Sequence, residues 1–100
     1  MHLLYRGQRF VWNAEKATAN ESKHGVRFET ACEVFFDPLV RLEEAGVEDD
    51  ARDAAVGFTE DWRLLFVVHL IWEDDTIRII SARPATAQER RAYEDCERTD

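Results

Sequence analysis

The spacing of apolar residues changes period near Leu39, and that change divides the chain into a helical part and a sheet part. Phe10, Val11 and Trp12 form a short strand-like opening. Asn13 then offers a side-chain cap for a helix over 14–24, and Gly25 is placed as its left-handed stop. On that helix Lys16, Asn20 and Lys23 fall at i, i+4 and i+7, which predicts a polar stripe on one face. Phe28, Ala31, Cys32 and Phe35 repeat at i, i+3, i+4 and i+7, the pattern of a buried helical face, and Asp37-Pro38 ends it. The two helices should form a hairpin turning at Gly25.

Beyond Leu39 the period is that of strands. Val40 and Leu42 alternate with polar neighbours, residues 46–50 read as a loop, and 51–58 read as a strand. Arg63 to Trp72 is almost continuously apolar and needs cover on both faces, so it is the predicted central strand. Glu73-Asp74-Asp75 makes a polar turn, Thr76 to Ala82 returns antiparallel, and Pro84 stops it. Thr86 and Glu89 fit a capping box for a last helix that begins at about Ala87 and fades before Asp100. The expected class is α+β: two N-terminal helices and a C-terminal helix packed on a three- to four-stranded antiparallel sheet. A single domain should span residues 1–100, with no repeat or linker, and the residues before Phe10 read as a short extension.

Composition sharpens this in two places. A net charge of -8 excludes a protein that coats nucleic acid nonspecifically, because phosphate-driven affinity needs a basic field. The charge is uneven, however: Glu43, Glu44, Glu48, Asp49, Asp50 and Asp53 crowd one stretch, while Arg78, Arg83, Arg90 and Arg91 face only Glu89 in another. The acidic stretch reads as a solvated loop rather than a metal site, and no His, Cys or carboxylate spacing suggests a metal or any other cofactor. The apolar run from Leu64 to Trp72 is about half the length that spans a bilayer and contains His69, and the N-terminus carries no secretory pattern. Cys32 and Cys96 lie on predicted helices without ligand spacing, so reduced packing thiols and a cytoplasmic location are expected.

Two segments together resemble the BrnT family of bacterial toxins. The first is Phe10-Val11-Trp12-Asn13, with Lys16, Asn20, Lys23-His24-Gly25-Val26, Phe28-Glu29, Ala31, Val34-Phe35 and Asp37-Pro38. The second is Arg52 with Gly57, then Arg63-Leu64, Val67-Val68-His69, Arg78 through Arg83, Ala85-Thr86, Glu89-Arg90-Arg91 and Tyr93-Glu94. Because the matches run in order from Phe10 to Glu94, the resemblance covers nearly the whole chain. It implies a RelE-like ribonuclease fold and the toxin of a type II toxin-antitoxin pair. Such a toxin is an endoribonuclease that cleaves mRNA, inhibits translation, and is neutralised by a BrnA-like antitoxin, with DNA reached only through that partner. A dimer or an assembly of two toxins and two antitoxins is the implied state. Pro84 stands where the family more usually has a lysine or another polar residue.

Metal-free RNA cleavage needs a base for the 2′-hydroxyl, cations for the pentacovalent phosphate and an acid for the leaving 5′-oxygen. Arg52, Arg78 and Arg83 are the candidate cations, and Arg52 and Arg83 are expected to share one phosphate. Each could instead pair with the acidic loop or with Glu89. His24, Lys23, Glu29 and His69 compete as base and acid. Against these roles, His24 could cap helical carbonyls, Glu29 could serve the helix dipole, and His69, on the parity of Leu65, Val67 and Ile71, could be a core histidine. Tyr93 reads as core, and Phe10, Trp12, Trp62 and Trp72 are too dispersed for a base-stacking platform, so packing is their expected role. A competing function is a noncatalytic interaction module that acts with a DNA-binding partner in transcriptional repression. A structural oligomer is a third.

Overall fold

The computed structural model describes residues 1–45 and 52–98. The acidic loop expected at 46–50, Ala51 and the last two residues lie outside the described residues, as does the side chain of Cys96. Among the described residues the strands and α-helices follow in the order β1 (His2–Tyr5), β2 (Gln8–Val11), α1 (Ala14–His24), α2 (Phe28–Ala31), β3 (Arg41–Glu44), β4 (Asp53–Phe58), β5 (Leu64–Ile71), β6 (Ile77–Pro84) and α3 (Ala87–Arg98). The second helix is shorter than its apolar period suggests, because α2 tightens after one turn into a 3-10 helix over Cys32–Phe36. Asn13 caps α1 by accepting the Lys16 N–H at 2.9 Å, and Gly25 closes it at φ 70, where a side chain would be strained.

The strands form one six-stranded sheet in the order β1-β2-β6-β5-β4-β3. This corrects the expectation of three or four strands, all antiparallel. Residues 2–9 are not an extension: His2 to Tyr5 pairs with Gln8 to Val11 as a hairpin, turned through Arg6 at φ 54 and Gly7 at φ 84. Two successive left-handed residues give the primed turn that suits hairpin twist. The other correction is direction, since β2 runs parallel to β6 through Phe10↔Ile77 and Val11↔Arg78. Hydrophobic alternation reports which face a residue occupies and is blind to strand direction. The central position of 63–72 holds: β5 is flanked by β4 and β6.

Alternation across the paired strands gives the sheet two faces. Phe10, Trp12, Ala55, Leu65, Val67, Ile79 and Ala82 point to one, where they pack with Val26, Phe28, Ala31, Cys32 and Val34 of the helical layer into the main core. Val56 and Leu64 point to the other and meet Tyr93 of α3, with Phe58 and Phe66 beside them. The predicted polar stripe on α1 is half right. Lys16 and Lys23 are exposed, but Asn20 is buried. Its amide donates to Ala82 O at 2.8 Å and Val26 O at 3.0 Å and accepts the Ala82 N–H at 3.1 Å. The paired register of β2 on β6 involves only Ile77 and Arg78, so the Asn20 side chain stands in for a strand partner further along β6.

Asp37 fastens the second layer. Its carboxylate accepts the Phe58 N–H at 2.8 Å, the Tyr93 hydroxyl at 2.7 Å and the Leu39 N–H at 2.9 Å. One side chain thereby ties the end of the 3-10 helix to β4 and to α3. Gly57 is required there, because a Cβ would lie 2.9 Å from Val34 O.

Candidate functional site

The strand-to-helix junction after β6 carries the arginine island. Thr86 and Glu89 cap α3 reciprocally, as the sequence predicts: Glu89 N–H donates to Thr86 Oγ1 at 3.1 Å and Thr86 N–H to Glu89 Oε1 at 2.9 Å. Arg83 closes on the same carboxylate with two hydrogen bonds of 2.8 Å, while its guanidinium lies 4.2 Å from the centre of the Phe66 ring. These bonds from Arg83, reinforced by Thr86, hold the Glu89 carboxyl below the usual carboxylate range, and Glu89 raises Arg83 in turn. Of the two expected roles for Arg83, the geometry displays the ion pair to Glu89.

Arg78 and Arg52 are placed by register. Arg78 lies opposite Leu70, and Asp53 lies opposite His69, so Arg52 comes one residue before β4, level with Leu70 on its other side. The two arginines therefore bracket Leu70 with Cα atoms about two strand spacings apart, roughly 10 Å. Arg83 is level with Phe66, four residues along β5, or about 13 Å away. Arg52 is thus nearer Arg78 than Arg83. The bulge at Val68/His69 keeps this alternation: Phe66, Val68 and Leu70 share a face with Arg83, Ser81 and Arg78. The half-buried Val68, Leu70, Ser81 and Arg78 continue this face beyond the corner where Val56 and Leu64 meet Tyr93 of α3.

Two residues that sequence reasoning passed over join this face. Val11 pairs with Arg78 on one side and with His2 on the other, so His2, Val11, Arg78 and Leu70 form one row across four strands, with Arg52 at its end. Arg9, two residues before Val11, has the same orientation and adds its charge to the hydrogen bonds from Thr76 that hold Asp74 below its ordinary range. The signal for both was the alternation of His-Leu-Leu-Tyr and Gln-Arg-Phe-Val around Arg6-Gly7, legible only once the hairpin is recognised.

The candidates for proton transfer lie elsewhere. Lys23 and His24 end α1, and Glu29 is in the first turn of α2, where it pairs with Arg27 at 3.7 Å. All three belong to the helical layer on the opposite side of the sheet. His69 is 1% exposed, edge-on to Phe35 with ring centres 4.8 Å apart, and its Nδ1 is 3.3 Å from Val67 O. Burial pushes its pKa down, which favours the neutral ring. Of the seven candidates the fold gathers Arg52, Arg78 and Arg83 on one face, and it separates them from Lys23, His24, Glu29 and His69. Tyr93 is core, as expected. Cys32 is a packing thiol, pushed up to about 12 by burial, and donates to Phe28 O.

An open sheet face bearing Arg9, Arg78 and Arg52, with an arginine-closed helix start beside it, can hold the phosphates of a polyanion. A comparison with curated proteins returned no match. The family model described as the ribonuclease toxin BrnT of type II toxin-antitoxin systems matches residues 12–89, which takes in Arg52, Arg78, Arg83 and the capped start of α3 but not His2 or Arg9. The chain belongs to that family of ribonuclease toxins.

Proposed function

We propose that the protein is an endoribonuclease that cleaves mRNA in the cytoplasm by metal-independent transesterification, and that a BrnA-like antitoxin keeps it silent. The observation that carries the reading is the row of arginines on the open sheet face of a chain whose net charge is -8. Overall charge opposes RNA, so a basic surface on this scale has to be local, and arginine supplies fixed positive charge for a phosphate without a metal ion. Arg78 and Arg52 bracket the scissile phosphate, Arg9 holds the backbone beside it, and Arg83 fixes the start of α3. His2 brings an imidazole to this face as its candidate acid or base. Lys23, His24 and Glu29 contribute to proton transfer only where bound RNA crosses to the helical layer, and His69 serves the core. Exposed Leu42, Ile71 and Trp72 leave apolar surface for the antitoxin, in a dimer or an assembly of two toxins and two antitoxins.

One observation favours a noncatalytic module that represses transcription through a DNA-binding partner: the expected acid and base groups do not converge on the arginine face. A cleavage assay decides between them. The purified protein, with excess EDTA, should cut single-stranded RNA to leave 2′,3′-cyclic phosphate ends, and Arg78→Ala should lower the rate by about 100-fold or more. Comparing His2→Gln with His24→Gln assigns the imidazole. Wild-type protein that binds an antitoxin but cuts no RNA would establish the repressor module instead.

A further inference from the structure

Trp62 is the most exposed of the large apolar side chains described, at 76%, and it stands in the left-handed region at φ 64. A bulky residue is rare there, and glycine would occupy the position without strain. The turn that carries it is tightly built. Trp62 N–H donates to Thr59 O at 3.0 Å, Thr59 N–H to Arg63 O at 2.9 Å and Arg63 N–H to Thr59 Oγ1 at 3.0 Å, while the Thr59 hydroxyl donates to Asp61 at 2.6 Å. The indole is therefore projected from a rigid hairpin rather than left loose on a tail. It meets Phe58 edge-on with ring centres 5.6 Å apart, and Phe58 in turn lies against Tyr93 at 5.4 Å. The Arg90 guanidinium is 5.8 Å from the Phe58 ring, whereas Arg63 turns to the helical layer, where it donates to Gly25 O at 3.3 Å. The acidic neighbours are engaged: Asp61 receives the Thr59 hydroxyl, and Glu60 receives the Tyr5 hydroxyl at 2.7 Å.

An exposed indole on a fixed turn, backed by a second ring that has an arginine beside it, has the makings of a single-strand RNA contact. Bases stack on such rings whatever their sequence, and a cation beside them meets a neighbouring phosphate. We infer that Trp62 stacks on one unpaired base of the RNA, with Arg90 at the adjoining backbone, and so sets affinity for single-stranded substrate. This rests on the ribonuclease reading and adds a binding residue outside the arginine face. The dispersal of aromatics along the sequence concealed it: Phe10 and Trp12 are buried in the core, whereas Phe58, Trp62 and Tyr93 assemble only in the fold.

The test uses the full chain and dye-labelled 12-nucleotide oligo(U) and oligo(A), followed by anisotropy, with cleavage kinetics in parallel. Trp62→Gly should leave the protein at least as heat-stable, since it relieves the left-handed backbone, yet weaken RNA binding by about 10-fold or more. The loss should appear in KM while kcat at saturating RNA is unchanged, and Trp62→Phe should restore most of the affinity. If wild type and Trp62→Gly bind and cleave alike, the inference fails and the ribonuclease reading stands. If wild type neither binds nor cleaves RNA, both fail together. If Trp62→Gly keeps its RNA affinity but loses the co-expressed antitoxin, the indole is a protein contact and the inference is overturned.

Discussion

Tyr93→Phe removes one oxygen from the link that holds α3 on the sheet, and its cost can be worked out from the contacts. The hydroxyl donates to the Asp37 carboxylate at 2.7 Å from a side chain that is 2% exposed, while the ring stays packed on Phe58 and Val56. A hydrogen bond to a charged group is worth about 1.5–3 kcal/mol, and the ring contacts survive the substitution, so a loss of about 2 kcal/mol is expected. For a domain of this size that lowers Tm by roughly 8–16 °C. Asp37→Ala deletes three acceptor contacts and leaves the Phe58 N–H without its partner, so it should cost more, about 4 kcal/mol. Urea unfolding of Tyr93→Phe, Asp37→Asn and the double variant gives the coupling directly, expected at about 1 kcal/mol or more. Hydrogen exchange should show α3 amides opening before those of β5. A Tyr93→Phe protein within about 0.5 kcal/mol of wild type would refute the claim that Asp37 anchors α3.

Two further predictions concern stability. Glu89 has a depressed folded pKa, so its contribution is present above the unfolded value, near 4.3, and is lost as pH falls through the lower folded value. Glu89→Gln should therefore cost about 1 kcal/mol in urea unfolding at pH 7, reduced because Arg83 is a third exposed, and almost nothing near pH 2; an unchanged gap at both would count against the pair. Asn20→Ala should lower stability by about 2–4 kcal/mol by stranding the Ala82 N–H, and Asn20→Asp should not rescue it, because a carboxylate cannot donate to Ala82 O and Val26 O. Melting of either within about 2 °C of wild type would show that β6 does not depend on this side chain.

Sequence alone determined what depends on neighbours in the chain. The Asn13 cap, the Gly25 stop, the reciprocal cap of Thr86 and Glu89 and the strand over 64–71 all follow from local spacing, since capping and amphipathicity act within a few residues, and the family follows from the ordered matches along the chain. Tertiary structure decided what depends on register and direction. Parallel pairing of β2 with β6 leaves no mark on alternation, and it is that pairing, with the β1 hairpin, that puts His2 in one row with Arg78 and Leu70 across four strands, with Arg52 at the row's end. A polar residue at helical spacing reads as solvent-facing until a sheet edge with unpaired backbone groups is set against it, which is why Asn20 looked like surface and is core. The candidate site divided in the same way. Residue type marked the arginines as candidates for phosphate, but only the two faces of the sheet could show that Lys23, His24, Glu29 and His69 do not stand with them.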